Sequence, residues 1–263
     1  ETVSGRVNVL VGSHLTPADV ETLRGWFLSF GLSPVILPDL SVLDGSRQVF
    51  SPLALGGTTL ESIRGMGRAE ITLVIGPSLV QAAEVLQKGC GVPFKVFHTL
   101  SGVEGATRFF AFLQKFSGRP LPADLDRARR VLIDGMGDAQ TVFGGKRIAV
   151  AQEGDLALQT ASWLREMNVA YLLAVLPTSA SAVKDIPADE VVVGDLASVP
   201  TGCHLLISNS HGVEVAKRLR TAHYPLGFPV FETLGTNNRV TIGFGGTLNL
   251  VHSVGNRLMG GES

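Results

Sequence analysis

One stretch restricts the architecture of this chain more than any other, the segment from Ser117 to Val150. Apolar residues recur in it every three or four positions, which is the stripe of one long amphipathic helix. Pro122 suits the first turn of that helix, and Gly144 with Gly145 ends it. Its apolar positions are Leu121, Leu125, Ala128, Leu132, Met136, Ala139 and Phe143. Such a helix is about 30 Å long, so it can cross one lobe and deliver the chain to another.

Short apolar runs alternate with helical segments on both sides of this helix. An alternation of buried strands with helices is typical of parallel βαβ units. The predicted fold class is therefore α/β, with two Rossmann-like, doubly wound parallel-sheet lobes joined by the long helix. The predicted domains are a first lobe at 1–118, the connecting helix at 119–146 and a second lobe at 147–263. The last part of the second lobe is predicted to contain strands at Phe228–Val230 and Val240–Ile242, then a helix from about Thr247 to Leu258.

Composition excludes several classes of protein. The 263 residues are 45% hydrophobic, which is ample for a core. The net charge of -1 shows no excess of basic residues of the kind that binds nucleic acid or an anionic membrane. Cys90 and Cys203 are isolated, which argues against a disulfide framework, a redox pair or an iron–sulfur cluster held by this chain alone. The start of the chain has no signal-peptide pattern, and its apolar runs are too short to span a bilayer. We therefore expect a cytoplasmic protein, and the first residue, Glu1, indicates a fragment of a longer one.

A long loop is predicted from Pro38 to Gly57. It carries more apolar side chains than a solvated loop needs, Phe50 and Leu53 among them, and exposed apolar patches usually mark interfaces. The outer face of the long helix carries Arg127 and Arg130. These four residues are the predicted contacts with a partner, although a merely solvated helix face is the simpler interpretation of the two arginines.

Four turns between strands and helices are rich in small and polar residues. In a parallel sheet such turns lie at the carboxyl ends of the strands, where ligands usually bind, so the cleft between the lobes is the predicted site. The ligand candidates are Ser13, Thr16, Asn209, Ser210 and His211. His211 is either a ligand or a helix-capping residue. The turns are Gly12-Ser13-His14, Gly76-Pro77-Ser78, Asn209-Ser210-His211-Gly212 and Gly243-Phe244-Gly245-Gly246-Thr247.

Known catalytic motifs are missing from the sequence. The stretch GFGGT at Gly243–Thr247 is not the GxGxxG dinucleotide fingerprint, and a tight turn against a packed helix explains it better than a phosphate site. The histidines lack local metal-site spacing, and the sequence contains neither a GxSxG nucleophile elbow nor a P-loop. We therefore name no catalytic residue and no metal ligand.

Seven stretches carry a resemblance to a known family. They are VNVLVGSHLTPADVETLR, PVILPDLSVLDG, GGTTLESI, SGRPLPADLDRAR, FGGKRIAV, LISNSHG and GFPVFETLG, and they span nearly the whole chain. In these stretches the chain resembles the nitrogenase component 1 superfamily, and the segment from Pro34 to Gly45 is most similar to the NifN type of iron–molybdenum cofactor biosynthesis proteins.

The resemblance implies a function. It implies a scaffold subunit that pairs with a NifE-like homologous subunit in a heterotetramer and matures a precursor of the iron–molybdenum (FeMo) cofactor, with cofactor-delivery and reductase proteins as further partners. It implies an iron–sulfur cluster and the precursor in the full assembly, but Cys90 and Cys203 do not match the family's cluster motif, so no cofactor is expected in this chain. Two alternatives remain: a nitrogenase-like reductase subunit of the β type, and a two-lobed protein that binds a small molecule or nucleotide sugar.

The long helix departs from the family pattern. Gly135 and Gly137 stand where relatives tend to have alanine and leucine, and Gln140 stands where a histidine is usual. Each glycine weakens a helix by about 1 kcal/mol relative to alanine. We therefore expect a helix that is not straight and stable by itself.

Overall fold

The structure, a computed structural model, describes residues 1–46, 50 and 55–260 and contains two parallel β-sheets. The first sheet has the order β2-β1-β3-β4 and the second has the order β7-β6-β5-β8-β9. All of these strand pairs are parallel. The strands are β1 (Arg6–Val11), β2 (Ser33–Leu37), β3 (Ile71–Ile75), β4 (Phe94–Phe97), β5 (Arg147–Ala151), β6 (Tyr171–Leu176), β7 (Glu190–Val193), β8 (Leu205–Ser208) and β9 (Ala222–Pro225). The predicted fold class is confirmed.

Eight α-helices in the described residues connect and cover these strands. They are α1 (Pro17–Ser29), α2 (Leu60–Arg64), α3 (Val80–Cys90), α4 (Gly102–Ser117), α5 (Ala123–Phe143), α6 (Gly154–Glu166), α7 (Val213–Leu219) and α8 (Gly243–Gly260). The segment from Pro38 to Gly57 contains a short 3₁₀ turn at Ser41–Leu43. The predicted contact Leu53 lies outside the described residues.

Helix α5 is the long helix that the apolar stripe predicts, and it is continuous through both glycines. Helix α8 packs along it, and a Cβ atom at Gly135 would lie 2.5 Å from Leu248 Cδ1. Gly135 therefore permits a close approach between the two helices, and tertiary packing offsets its low helix propensity. The helix is thus continuous where it packs on α8, and the expectation that it is not straight and stable by itself stays a prediction. Nothing in the structure explains Gly137.

The end of the second lobe differs from the sequence prediction. The edge strand β9 lies at Ala222–Pro225, and the apolar segments 228–230 and 240–242 are not strands. Strand β9 is short and only partly buried at the edge of its sheet, so it lacks the continuous apolar run that marks a central strand. The GFGGT stretch is not a turn either. It forms the first turns of α8, where Phe244 is buried with its ring 5.3 Å from the ring of Phe110.

The hydrophobic core is continuous between the two sheets. One cluster of buried side chains includes Val9 of β1, Ile148 of β5, Phe109 of α4 and Phe244 of α8. The last helix thus packs on α4 and α5 rather than on the second sheet alone. The domain boundaries at 118 and 146 stay a prediction, but the two lobes are held together by buried apolar surface.

Candidate functional site

Two crevices mark the carboxyl ends of the sheets. Ligands of open α/β sheets bind where the strand order reverses, because the turns on either side of that point separate and leave space. In the first sheet the order reverses between β1 and β3, and we call the space between turns 12–16 and 76–79 the first-lobe crevice. In the second sheet it reverses between β5 and β8, and we call the space between turns 152–154 and 209–212 the second-lobe crevice.

The first-lobe crevice is filled by a side chain from the other lobe. Asp155, which is buried in the first turn of α6, accepts hydrogen bonds from the backbone N–H of Ser78 at 3.3 Å and from its hydroxyl at 2.5 Å. Gly76 makes this approach possible, since its φ of +84° suits glycine and a Cβ atom there would collide with the Asp155 carboxylate. The Gly76-Pro77-Ser78 turn therefore already binds an anion, and that anion is Asp155.

His14 lies beside this carboxylate and is buried. Its Nδ1 is 3.9 Å from Asp155 Oδ2, and neither ring nitrogen has a hydrogen-bond partner among the described residues. Burial lowers the pKa of His14 to about 4, and the negative charge of Asp155 opposes that shift only in part. The imidazole is therefore neutral at pH 7.

Two more buried or half-buried carboxylates join the lobes in the same manner. Glu166, at the end of α6, accepts hydrogen bonds from the backbone N–H groups of Val103 at 2.6 Å and Glu104 at 3.1 Å, in the first turn of α4. Asp19 of α1 accepts from the backbone N–H of Thr241 at 2.6 Å. Burial raises the pKa of both carboxyl groups, although their hydrogen bonds lower it. A helix N-terminus stabilises negative charge, which favours such contacts. Each contact also joins two parts of the chain that are far apart in sequence, Glu166 to Val103 and Asp19 to Thr241.

Of the two ligand candidates in the first lobe, Thr16 already uses its hydroxyl in hydrogen bonds within the protein. Thr16 is the N-cap of α1: its hydroxyl accepts from the backbone N–H of Asp19 at 3.0 Å and donates to the carbonyl of Arg239 at 2.8 Å. Ser13 is exposed at the mouth of a cavity of about 850 Å³ between the turn 13–17 and the segments 225–231 and 236–241. The role of both as ligand residues stays a prediction.

The second-lobe crevice, in contrast, is open. It forms a cavity of about 600 Å³ with a largely apolar wall that includes Leu156, Val175 and Leu226. Its polar lining includes Gln152, Asp195, Asn209, His211 and Arg218. A cavity of this size with a few convergent polar groups is typical of small-molecule sites.

The three predicted residues of the second lobe lie together but have different surroundings. Asn209 accepts from the backbone N–H of His211 at 3.1 Å and donates to the carbonyl of Phe228 at 3.0 Å. Ser210 donates to Glu232 Oε2 at 2.7 Å and accepts from the backbone N–H of Phe231 at 2.8 Å. Asn209 and Ser210 thus fix the segment after β9. The ring of His211 is exposed and lines the cavity, and the capping residue of this turn is Asn209.

The described interface candidates are all exposed. Phe50 is 98% exposed, and Leu43 and Leu55 of the same loop are about half exposed. Arg127 is exposed on α5, and Arg130 forms an ion pair with Asp126 at 3.3 Å, one turn away. These positions are compatible with contact to a partner, and that role stays a prediction.

Metal-binding donors are dispersed in the part of the chain that the structure describes. There, no three side chains of His, Cys, Asp or Glu come together in a group that could hold a metal ion. Cys90 is exposed at the end of α3, whereas Cys203 is buried ahead of β8. Within the same residues, no helix has both the length and the apolar content needed to cross a membrane.

Sequence reasoning missed Asp19, Asp155 and Glu166, the carboxylates that join the lobes. A signal existed for Asp19, because Thr16 and Asp19 have the spacing of a capping box. For Asp155 and Glu166 the sequence has no equivalent signal, since their partners Ser78 and Val103 lie more than 60 residues away.

Comparison with known proteins identifies relatives along the whole chain. The family model described as nitrogenase component 1 type oxidoreductase matches residues 1–259. The chain is 40% identical over 258 residues to the nitrogenase iron-molybdenum cofactor biosynthesis protein NifN of Bradyrhizobium diazoefficiens, covering 95% of this chain and 55% of that protein. It is 38% identical to NifN of Rippkaea orientalis, covering 98% of this chain and 59% of that one.

A solved structure is similar as well. A chain of the structure described as "Nitrogenase Cp1 at pH 6.5" superposes with a TM-score of 0.89 at 28% identity, covering 99% of this chain and 61% of that one. The chain thus spans 55% to 61% of the length of these relatives.

Proposed function

Since this chain belongs to the nitrogenase component 1 type oxidoreductase family, we propose that it serves in a cytoplasmic scaffold subunit on which a precursor of the iron–molybdenum cofactor is matured. One observation carries the proposal: the chain is 40% identical, over 95% of its length, to a protein named for iron–molybdenum cofactor biosynthesis. In this proposal the precursor is the cargo of the scaffold and not a resident group of this chain.

The residues of this chain do not fit a resident iron–sulfur cluster. Clusters are held by cysteine thiolates, whereas Cys90 and Cys203 belong to different lobes and no group of three or more donors forms among the described residues. We therefore assign the cluster to the full assembly and derive no chemical step through it.

The partner in this proposal is a NifE-like homologous subunit in a heterotetramer. The exposed side chains of Leu43, Phe50 and Leu55 in the described part of the 38–57 loop support a contact there, since grouped exposed apolar residues often mark an interface. We expect Phe50→Asp in the full-length protein to weaken co-purification with the partner and to leave the thermal midpoint of the isolated subunit unchanged. The matched control is Leu60→Asp, another exposed apolar residue, which lies on α2. Equal co-purification of both variants and the parent protein would exclude Phe50 from the interface.

A nitrogenase-like reductase subunit of the β type is the second candidate, and the similarity to the Cp1 structure favours it. Complementation separates the two. A strain that lacks its NifN protein is supplied with the full-length protein that contains this chain, and mature cofactor is measured by its transfer to cofactor-free nitrogenase. We expect transfer to be restored. Substrate reduction by the purified assembly, without cofactor transfer, would instead support the reductase.

A further inference from the structure

The segment after β9 presents three large apolar side chains to solvent. Phe228 is 87% exposed, Phe231 is 76% exposed and Leu234 is 97% exposed. A single exposed apolar residue is ordinary, but three within one short segment form a patch of the kind that marks a docking surface. We propose that, in the full-length protein, this 228–234 patch is covered by the part of the same polypeptide that lies outside the 263 residues of this chain.

The 228–234 patch is fixed to the end of β8 by hydrogen bonds. Asn209 Nδ2 donates to the carbonyl of Phe228 at 3.0 Å, and the backbone N–H of Ser210 donates to the carbonyl of Pro229 at 3.0 Å. The backbone N–H of Phe231 donates to the Ser210 hydroxyl at 2.8 Å. The exposed rings are therefore carried by an ordered backbone, and a surface that is already ordered loses little conformational entropy when another surface docks on it.

The patch borders a groove between the two lobes. This inter-lobe groove is the cavity of about 850 Å³ beside the turn 13–17, and Phe228 and Phe231 line it from the second lobe. Leu40 and Leu43 line it from the first lobe. Asn237 Nδ2 donates to the carbonyl of Leu43 at 3.3 Å and joins the two sides. A surface that covers the patch therefore contacts both lobes.

The charged groups of the inter-lobe groove favour an apolar occupant. One carboxylate and one guanidinium line the groove, so their charges balance. Both are engaged: Glu153 accepts from the backbone N–H of Leu156 at 3.0 Å, and Arg239 donates to the Tyr224 hydroxyl at 2.9 Å. His14, which also lines the groove, is buried and neutral at pH 7. The contact therefore depends on buried apolar area rather than on ion pairs.

The length of the relatives indicates the occupant. This chain spans 55% to 61% of them, so roughly two fifths of each relative lies outside the matched part. A tethered part of the same polypeptide has a high effective concentration and covers the patch without a separate association step. A partner subunit would leave the two phenylalanines exposed until it arrives, and such patches favour aggregation. This inference does not depend on the proposed function, because it concerns the folding of one polypeptide.

Hydroxyl-radical footprinting of the purified full-length subunit, without a partner, tests the proposal. We expect Phe228, Phe231 and Leu234 to be oxidised about fivefold more slowly than in the 263-residue chain, a ratio that corresponds to a patch covered about four fifths of the time. The internal control is Val85, which is 69% exposed on α3 beside the ion pair of Lys88 with Glu84. Val85 should be oxidised at the same rate in both proteins.

A substitution in the patch adds a second measurement. Phe231→Asp places a carboxylate where an apolar surface docks, and burying an unpaired charge is unfavourable. In the full-length subunit we therefore expect Phe228 and Leu234 to be oxidised as fast as in the 263-residue chain. Val85→Asp is the matched control and should leave the protection of the patch unchanged. Circular dichroism of each variant shows whether its fold is retained.

Three results would overturn the proposal. The first is equal oxidation of the patch in the full-length subunit and in the 263-residue chain. The second is protection that appears only when a partner subunit is added, which would assign the patch to that partner. The third is protection that increases with protein concentration, which would assign it to a second copy. Cofactor maturation does not enter the experiment, so failure here leaves the proposed function untouched.

Discussion

The two sheets end in crevices of the same kind, but only one of them is open. In the first lobe, Asp155 reaches across from α6 and binds the turn after β3. In the second lobe, no comparable side chain crosses into the space between Gln152 and Asn209 within the described residues, and a cavity remains. One fold therefore provides two crevices at the carboxyl ends of its sheets, and the docking of the lobes fills one of them with a structural contact.

The largest expected effect comes from removing the side chain that fills the first-lobe crevice. Asp155→Ala removes the acceptor of two Ser78 donors at a buried position, so we expect the free energy of unfolding in urea to fall by roughly 2–4 kcal/mol. The control is Asp195→Ala in the second-lobe crevice. That residue is exposed and caps only a 3₁₀ turn, so its loss should be about 1 kcal/mol or less. Equal losses at the two positions would contradict the distinction between a filled and an open crevice.

The second effect depends on pH and involves His14. Its folded-state pKa of about 4 lies below the ordinary value of 6.5, so the unfolded chain binds more protons between these pH values. The contribution of the neutral, buried His14 to the free energy of unfolding is therefore present above pH 6.5 and is lost as the pH falls toward 4. Between pH 7 and pH 5 we expect a loss of about 2 kcal/mol in the parent protein that is absent in His14→Phe.

The control for this experiment is His98→Phe, because His98 is exposed. The raised pKa values of Asp19, Glu153 and Glu166 contribute with the opposite sign, favouring the folded state at low pH, but they are common to all three proteins. The difference between parent and variant therefore isolates His14. If urea titrations show the same pH dependence with and without His14, the imidazole is not buried beside Asp155.

A smaller effect is expected at Glu166. Glu166→Gln replaces one of the two acceptor oxygens by an amide N–H group that faces the backbone donors of α4, so unfolding should become easier by about 1–2 kcal/mol. Glu104→Gln, in the same first turn but exposed, should change stability by no more than about 0.5 kcal/mol. Thermal midpoints of the two variants compare them directly, and a larger shift for Glu104→Gln would refute a joining role for Glu166.

The smallest effect is expected at His211. Its ring is exposed and Asn209 provides the cap, so His211→Gln should alter stability by less than about 0.5 kcal/mol, whereas Asn209→Ala should lower it by about 0.5–2 kcal/mol. In the full-length protein we also expect near-normal cofactor transfer. Abolished transfer at an unchanged thermal midpoint would show that the imidazole contacts the cargo.

Sequence reasoning located most of the sheets and helices but not the last strand. Strand β1 is continuously apolar because both faces of the sheet are covered, and such a run is visible in the sequence. Strand β9 contains Ala222, His223, Tyr224 and Pro225, and it is a strand because β8 pairs with it and not because of its composition. The apolar segment 228–230 was the better candidate by composition alone and is not a strand.

The candidate site could also be predicted only in part, because it depends on contacts between residues far apart in sequence. The rule that turns at the carboxyl ends of parallel strands lie together predicts Ser13, Thr16, Asn209, Ser210 and His211 as site residues. In the structure Ser13 and Thr16 line the cavity beside the segments 225–231 and 236–241, whereas Asn209 and His211 line the second-lobe crevice. Their role as ligand residues stays a prediction. Whether a given turn is available to a ligand depends on side chains from distant parts of the chain. Thr16 is engaged by Asp19 and Arg239, whereas His211 remains exposed.

The sequence by itself determined the α/β class and the long helix, because periodicity and capping are local properties of neighbouring residues. The tertiary structure alone decided which crevice is filled, since Asp155 meets Ser78 across 77 residues of sequence. It also decided that α5 stays continuous at Gly135, where Leu248 of α8 packs. Contacts of such long range depend on how the two lobes dock, and this docking is set by the buried core that they share.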